Sequence, residues 1–373
     1  AAACSSPGAS TAPTTAAATT PPAGTTTPAT DAPPTAAAMT KVSVQLQWVS
    51  QAQFAGEIAA KAEGFYEAAG LDVTLLEGGP NVANITVGCA TTGPEFTLGW
   101  VPKALVAVES GNCDLVSIAQ IYQRSGTRSV SWKDSNITSV DQFKGKKIGV
   151  WDFGNEYEVT SGALKHGLTV GTDYTRVIQD FNMAALLNRE IDVAEAMTYN
   201  EYAQVLEAKN PDTGNLYQPG DLNVIDWNAE GTAMLQDAVF ARAAWLSQPG
   251  SEEIATKFLK ATFEGWIFCR DNPDKCVEHV LAVGTTLGKG HQAWQMNEVN
   301  PLIWPSPNGI GITDKALWDQ TIAVALQGKF LTKTPAEGAY RNDLAEAALA
   351  QISGDTKGTS FVKGTAVVTE NGE

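Results

Sequence analysis

The chain reads as an α/β protein of two lobes, each a mainly parallel sheet flanked by helices, with a cleft between them. Three observations predict this. Short apolar runs alternate with stretches whose apolar residues recur at helical spacing, the grammar of βαβ units. The alternation restarts near Asp141, and a later run, Met234–Ala241, reads as a strand returning to the first set. The chain is 373 residues long and its first 40 are low-complexity. About 330 remain, enough for two cores.

In chain order, Val42–Trp48 reads as a strand. Phe54, Ile58, Ala62, Phe65 and Ala69 follow at helical spacing, and Gly70 supplies the stop. Leu71–Leu76 and Phe96–Trp100 are strands, Lys103–Ser110 a helix ended by Gly111, and Leu115–Ile121 a strand. The second set runs strand Lys147–Trp151, helix Glu156–His166, strand Arg176–Gln179, helix Asn182–Arg189, strand Asp192–Met197, helix Glu201–Lys209 and strand Leu222–Trp227. Helices are expected at Glu252–Cys269, Asp274–Val283, Gln292–Val299, Lys315–Phe330 and Ala336–Ile352. In the first of these, Ile254, Phe258, Thr262 and Trp266 mark one face. The expected organisation is a tether over 1–40, a discontinuous first lobe of 41–127 with 229–373, and a second lobe of 128–228.

From Ala1 to Thr40 the one charged residue is Asp31, the rest being mostly Ala, Thr, Pro, Ser and Gly. Such a stretch cannot bury enough apolar surface to offset the entropy of ordering. As a coil it reaches roughly 30–35 Å, and stretched as polyproline II about 110 Å. Its opening, Ala1-Ala2-Ala3-Cys4-Ser5-Ser6, resembles the end of a bacterial lipoprotein signal. That resemblance implies that Cys4 carries lipid, with the folded part held outside the cytoplasm at the cell membrane.

Four further cysteines, Cys89, Cys113, Cys269 and Cys276, suit two disulfides in an oxidising compartment. Cys269 and Cys276 flank a helix-end and turn sequence. Cys89 and Cys113 each precede a strand, so parallel neighbours would place both sulfurs at one sheet end. The alternative is four buried free thiols.

The net charge of −16, from 41 acids against 25 bases, argues against a nucleic-acid partner. No two of His166, His279 and His291 stand at helical metal-ligand spacing, and no metal site is expected. There is no Gly-x-Ser-x-Gly elbow. The run Gly284–Gly290 is one residue short of a phosphate loop and has Gly where Ser or Thr is required, so it reads as a turn. No catalytic residue or cofactor is expected.

The strand ends carry the functional signal. They read Trp48 with Gln51 and Phe54; Trp100; Tyr122 with Gln123; Trp151 with Asp152, Asn155 and Glu156; and Met197 with Tyr199 and Asn200. Ligands of open α/β sheets bind beyond the carboxyl ends of the strands. Aromatic faces beside directed amides and acids suit a planar, uncharged heterocycle. For any single aromatic, core packing is an equally good reading; the recurrence at almost every end is what points to a site.

Leu46-Gln47-Trp48, Gln51–Gly56, Ala60–Tyr66 and Gly70–Val73 resemble the opening of the solute-binding proteins of ABC importers, in the branch similar to thiamine-pyrimidine synthases. Further matches are Ser117–Gln120, Phe143–Trp151 and Asp192–Glu201, and the resemblance spans about residues 41–350. It implies a type II periplasmic-binding-protein fold that closes on its ligand and delivers it to a membrane permease, acting as a monomer. Relatives in the family take sulfonates, taurine, pyrimidine precursors or riboflavin. Asp152 and Glu156 oppose an anion, against sulfonate and a phosphorylated flavin. Trp48, Trp100 and Trp151 favour riboflavin, its ribityl hydroxyls meeting Asn155, Glu156, Asn200 or Gln123. A thiamine pyrimidine precursor is the alternative ligand. A pyrimidine-synthase-like enzyme and a surface adhesin on the same fold are the alternatives from other classes.

Overall fold

In the computed structural model, which describes residues 38–284 and 288–373, two five-stranded sheets are built from alternating segments of the chain. The strands are β1 (Thr40–Gln45), β2 (Leu71–Leu76), β3 (Phe96–Gly99), β4 (Leu115–Gln120), β5 (Thr127–Trp132), β6 (Lys147–Val150), β7 (Thr175–Ile178), β8 (Val193–Met197), β9 (Leu222–Asp226) and β10 (Ala238–Arg242). The first sheet has the order β2-β1-β3-β10-β4 and the second β7-β6-β8-β5-β9. β10 runs antiparallel to β3 and β4, and β5 runs antiparallel to β8 and β9. The sheets are therefore mixed, each with one strand opposed to the other four.

The two opposed strands have a common origin. Each is the first strand after the chain crosses from one lobe to the other. Ala238 opens β10 opposite Gly99 and Gln120, the ends of β3 and β4. Thr127 opens β5 opposite Met197, the end of β8, and Arg128 faces Asp226, the end of β9. A chain arriving from the other lobe enters at the carboxyl edge and must run backwards. The carboxyl edges of both sheets thus lie at the crossing points, where the lobes face each other.

Apolar side chains cover both faces of each sheet, as parallel strands require. In the second lobe Ile148, Val150 and Val193 pack with Phe143 and Trp227 on one side, while Ala194, Ala196 and Val130 pack with Leu186 and Leu206 on the other. In the first lobe, helix Ala55–Ala62 crosses helix Ser251–Asp271 with Gly56 beneath the Trp266 ring.

Strand β5 is absent from the sequence reading. Its Thr127, Ser129 and Ser131 are buried, and Ser131 Oγ donates to the Ile137 carbonyl at 2.9 Å. Alternating hydroxyls buried inside a sheet look like a loop in sequence. The expected helix at Ala336–Ile352 shortens to Asp343–Leu349. Gly338 takes φ +85°, and the segment after it pairs with β4, Ser117 N–H donating to Ala339 O at 3.1 Å and Arg341 N–H to Ser117 O at 2.8 Å.

Both expected disulfides form. Cys89–Cys113 has a Cα–Cα distance of 4.8 Å and Cys269–Cys276 one of 5.4 Å. β3 and β4 are not neighbours, because β10 lies between them. They still run the same way, so the residues preceding them reach the same sheet edge. In the chain-entropy model the two bridges contribute about 3.5 and 2.5 kcal/mol. Cys4, the tether before residue 38 and the centre of the Gly284–Gly290 turn lie outside the described residues.

Candidate functional site

The facing carboxyl edges enclose a cavity of about 750 Å³. Its first-lobe wall comes from the segment after β1, from Gly79–Thr86, and from Trp100 with the helix that follows it, Val101–Glu109. Its second-lobe wall comes from Trp151–Tyr157, Phe181 and Met197–Glu201. The first-lobe wall is held by one buried acid. Asp237, with φ +46°, stands just before β10. Its Oδ1 accepts from Gln53 Nε2 at 2.9 Å and its Oδ2 from Trp100 Nε1 at 3.1 Å. Gln51 Nε2 donates in turn to Gln53 Oε1 at 2.9 Å. Burial pushes the Asp237 carboxyl up to about 6, while the Gln53 and Trp100 donors and the Lys103 charge act to lower it.

Aromatic faces meet across the opening. Phe181 lies 4.6 Å from the Trp48 ring in the first lobe and 6.4 Å from Trp151 in the second, nearly parallel to the latter at 14°. Trp151 is fixed by its backbone N–H on Glu195 Oε2 at 2.9 Å and its indole N–H on Asp180 O at 3.3 Å. Phe153, at the tip of the same loop, is 90% exposed with φ +64°. Such a backbone is an outlier for a bulky residue and marks a constrained loop.

The polar groups are as specifically placed. Lys103 Nζ crosses from the first lobe to donate to Asn155 Oδ1 at 2.7 Å and lies 5.0 Å from the Trp100 ring. Burial lowers its pKa to about 8, against the opposing pull of Glu156, Glu195 and Asp237. Glu156 Oε2 accepts the Gly154 N–H at 2.8 Å, and Arg176 stands 3.8 Å from its other oxygen. Burial is the main cause of its raised pKa. Asn200 donates to Glu201 Oε1 at 2.7 Å, and its Oδ1 lies 2.8 Å from His291 Nε2.

Of the residues expected at the site, Trp48, Gln51, Trp100, Trp151, Asn155, Glu156, Met197, Tyr199 and Asn200 line this cavity. Phe54, Tyr122, Gln123 and Asp152 are not among its lining residues. Phe54 is core. Tyr122 is buried beneath the site, its hydroxyl donating to Gln53 O at 2.9 Å and its ring 6.3 Å from Tyr199, edge to face. Gln123 Nε2 donates to Gln120 O at 2.8 Å, and Asp152 faces Arg176 at 3.6 Å. The sequence reading missed Gln47, Gln53, Lys103, Phe181 and Glu201, and also Asp237 behind the wall. Gln47 and Gln53 stand within the first strand-end motif and were within reach of the same argument. Lys103, in the first turn of a helix, looks like an ordinary solvated cation in sequence.

This wall of flat rings and directed amides suits retention of a planar molecule. Among the described residues no group of three or more His, Cys, Asp or Glu is placed to hold a metal, and no helix is long and apolar enough to cross a membrane.

Residues 51–276 match the family described as NMT1/THI5 like. The chain belongs to that family. This NMT1/THI5-like chain is 26% identical over 294 residues to the riboflavin-binding protein RibY of Chloroflexus aurantiacus, covering 76% of this chain and 79% of that one. Among solved structures it is similar to the periplasmic aliphatic sulphonate-binding protein SsuA of Escherichia coli. That match has a TM-score of 0.59 and 15% identity, over 79% of this chain and 89% of the other. The desulfurization enzyme DSZB gives a TM-score of 0.56 at 14% identity, over 84% and 99%. These structural likenesses establish the fold, that of periplasmic binding proteins.

Proposed function

We propose that the protein is the extracytoplasmic solute-binding component of an ABC importer, and that it captures a planar heteroaromatic vitamin, riboflavin. The observation that carries this reading is the meeting of Trp48, Trp100, Trp151 and Phe181, drawn from both lobes, around one cavity large enough for a tricyclic ring. A flat solute between such faces joins the lobes. The riboflavin-binding relative supports the choice of ligand.

On this reading the moving units are 41–127 with 229–373, and 128–228. They turn about the two crossings, and the monomer delivers its solute to a permease without chemical change. The tether and Cys4 hold it at the membrane. A precursor carrying Cys4→Ala should leave the membrane fraction; retention there would place the anchor elsewhere.

Titration with riboflavin and with an aminopyrimidine tests the ligand. Flavin fluorescence should fall as the ring stacks on indole, and riboflavin should appear by mass spectrometry in the supernatant of denatured protein purified from its native source. Tight aminopyrimidine binding with none for riboflavin would replace the vitamin by a thiamine pyrimidine precursor.

A further inference from the structure

The cleft holds a cation that a purely stacking site does not need. Lys103 is on the first-lobe wall, in the first turn of the helix that follows Trp100. Its stem runs over Gly154, where an added Cβ would come 2.9 Å from Lys103 Cγ. Its ammonium spans the two lobes to Asn155. On the same wall, Gln47 Oε1 is buried and has no hydrogen-bond partner among the described residues. A buried amide oxygen left unpaired in a protein costs free energy, and a ligand donor would recover it. Gly99 lets its neighbours close in around that oxygen: a Cβ there would lie 2.6 Å from Ile85 Cδ1, 3.2 Å from Asn84 Nδ2 and 3.7 Å from Gln47 Oε1. Lys103 and Gln47 therefore both line the cavity and bring to it one donor and one acceptor without a partner among the described residues.

We propose that Lys103 and Gln47 read the solute, the ammonium exchanging Asn155 for a ring carbonyl and the Gln47 oxygen taking the adjacent ring N–H, so that the cleft selects an uncharged heterocycle with an imide edge. This rests on the riboflavin reading and adds the part of the molecule that is recognised. The surroundings of Lys103 explain why an anion is not the ligand. Glu156, Glu195 and Asp237 all bear on it electrostatically, so the ammonium already has acidic neighbours. A sulfonate or phosphate would meet those acids as well as the ammonium, whereas a carbonyl asks only for a hydrogen bond. An aminopyrimidine presents an amino donor where the imide presents a carbonyl, and faces the ammonium with the wrong group.

The test is a fluorescence titration of the folded protein with riboflavin and 3-methylriboflavin, whose ring N–H is blocked. The native protein should prefer riboflavin by at least about tenfold. Lys103→Met keeps the stem over Gly154 and Trp100 but removes the charge, and should bind riboflavin about 10- to 100-fold more weakly. Gln47→Leu should narrow the preference between the two flavins, an effect that loosened packing alone would not produce. Equal affinity of the native protein for both flavins overturns the proposal, as does unchanged riboflavin affinity in Lys103→Met. If Lys103→Met does not fold, as judged by its melting curve, the comparison of the two flavins on native protein decides. No riboflavin binding by the native protein overturns the ligand reading itself and this inference with it, an outcome distinct from riboflavin binding that ignores both side chains.

Discussion

Trp100→Ala is expected to weaken solute capture by about 30- to 1000-fold, the equivalent of about 2–4 kcal/mol. Trp100 is 4% exposed, lies on the cavity wall and donates to Asp237. An aromatic stack contributes roughly 0.5–1.5 kcal/mol beyond burial, and the lost contact area adds about 2 kcal/mol. The substitution also removes one of the two donors on Asp237. That carboxylate also fixes Gln53, and through it Gln51, so the loss should spread along the wall. Trp151→Ala should approach the same size, because both sit deep. Trp48 is half-buried and shares its face with Phe181, so Trp48→Ala should cost less. Isothermal titration of the three variants with riboflavin provides the measurement. Native affinity in all three would remove the cleft from consideration as the binding site.

The second large effect concerns the crossings. Glu158, buried in helix Tyr157–Lys165, accepts from groups on both connecting segments. Ser125 Oγ donates to its Oε2 at 2.8 Å, and Met234 N–H to its Oε1 at 2.9 Å. Gln236 adds a longer contact of 3.3 Å to Oε1 while its own oxygen accepts the Gly126 N–H at 2.9 Å. One side chain thus ties the outgoing chain to the returning chain beside the cleft. Glu158→Ala leaves buried donors unpaired and should destabilise the fold by about 3–5 kcal/mol, read from urea midpoints. Glu158→Gln keeps an acceptor and should cost under about 1.5 kcal/mol near neutral pH. An alanine variant within about 1 kcal/mol of native would show that the crossings are held by other contacts.

The same residue sets a pH dependence. Burial raises the Glu158 carboxyl from 4.5 to about 8, against the lowering effect of the Met234 and Ser125 bonds. The folded chain therefore keeps a proton that the unfolded chain releases. Its contribution is fully present below pH 4.5 and is lost as pH rises through about 8. The slope within that window is at most about 1.4 kcal/mol per pH unit. Glu57 is raised to about 8 as well, Asp237 to about 6, and Glu156 is also raised, so the native curve contains several groups. The difference between native protein and Glu158→Gln isolates one of them. Parallel curves across the window would refute the assignment.

The architecture was largely readable because most of these elements announce their burial locally. β1, β3 and β4 are runs closed by an aromatic or an amide, β2 is an apolar run before a Gly-rich turn, and the intervening helices end at Gly64, Gly70 and Gly111, each with positive φ. β5 failed the same test because its buried residues include the hydroxyls of Thr127, Ser129 and Ser131, which carry no apolar signal in sequence. At the site, Trp48, Trp100 and Trp151 were legible as strand-end aromatics, and the cavity contains all three. The same rule over-reached at Tyr122 and Gln123. Position along the chain says that a residue is near the edge, and leaves open whether its side chain points into the cleft or beneath it.

Local sequence thus determined the α/β class, the two lobes, the disulfide-forming cysteines and the aromatic character of the cleft, because each depends on burial patterns or residue types within a short stretch. Tertiary structure alone placed Phe181 against Trp48, Lys103 against Asn155 and Asp237 against Trp100. The last two pairs are 52 and 137 residues apart in the chain. Such contacts carry no periodic trace. They exist because β10 returns beside β3 in the first sheet and because the crossings bring the carboxyl edges of the two sheets together, so that a charged or aromatic side chain finds a partner that its own segment does not contain.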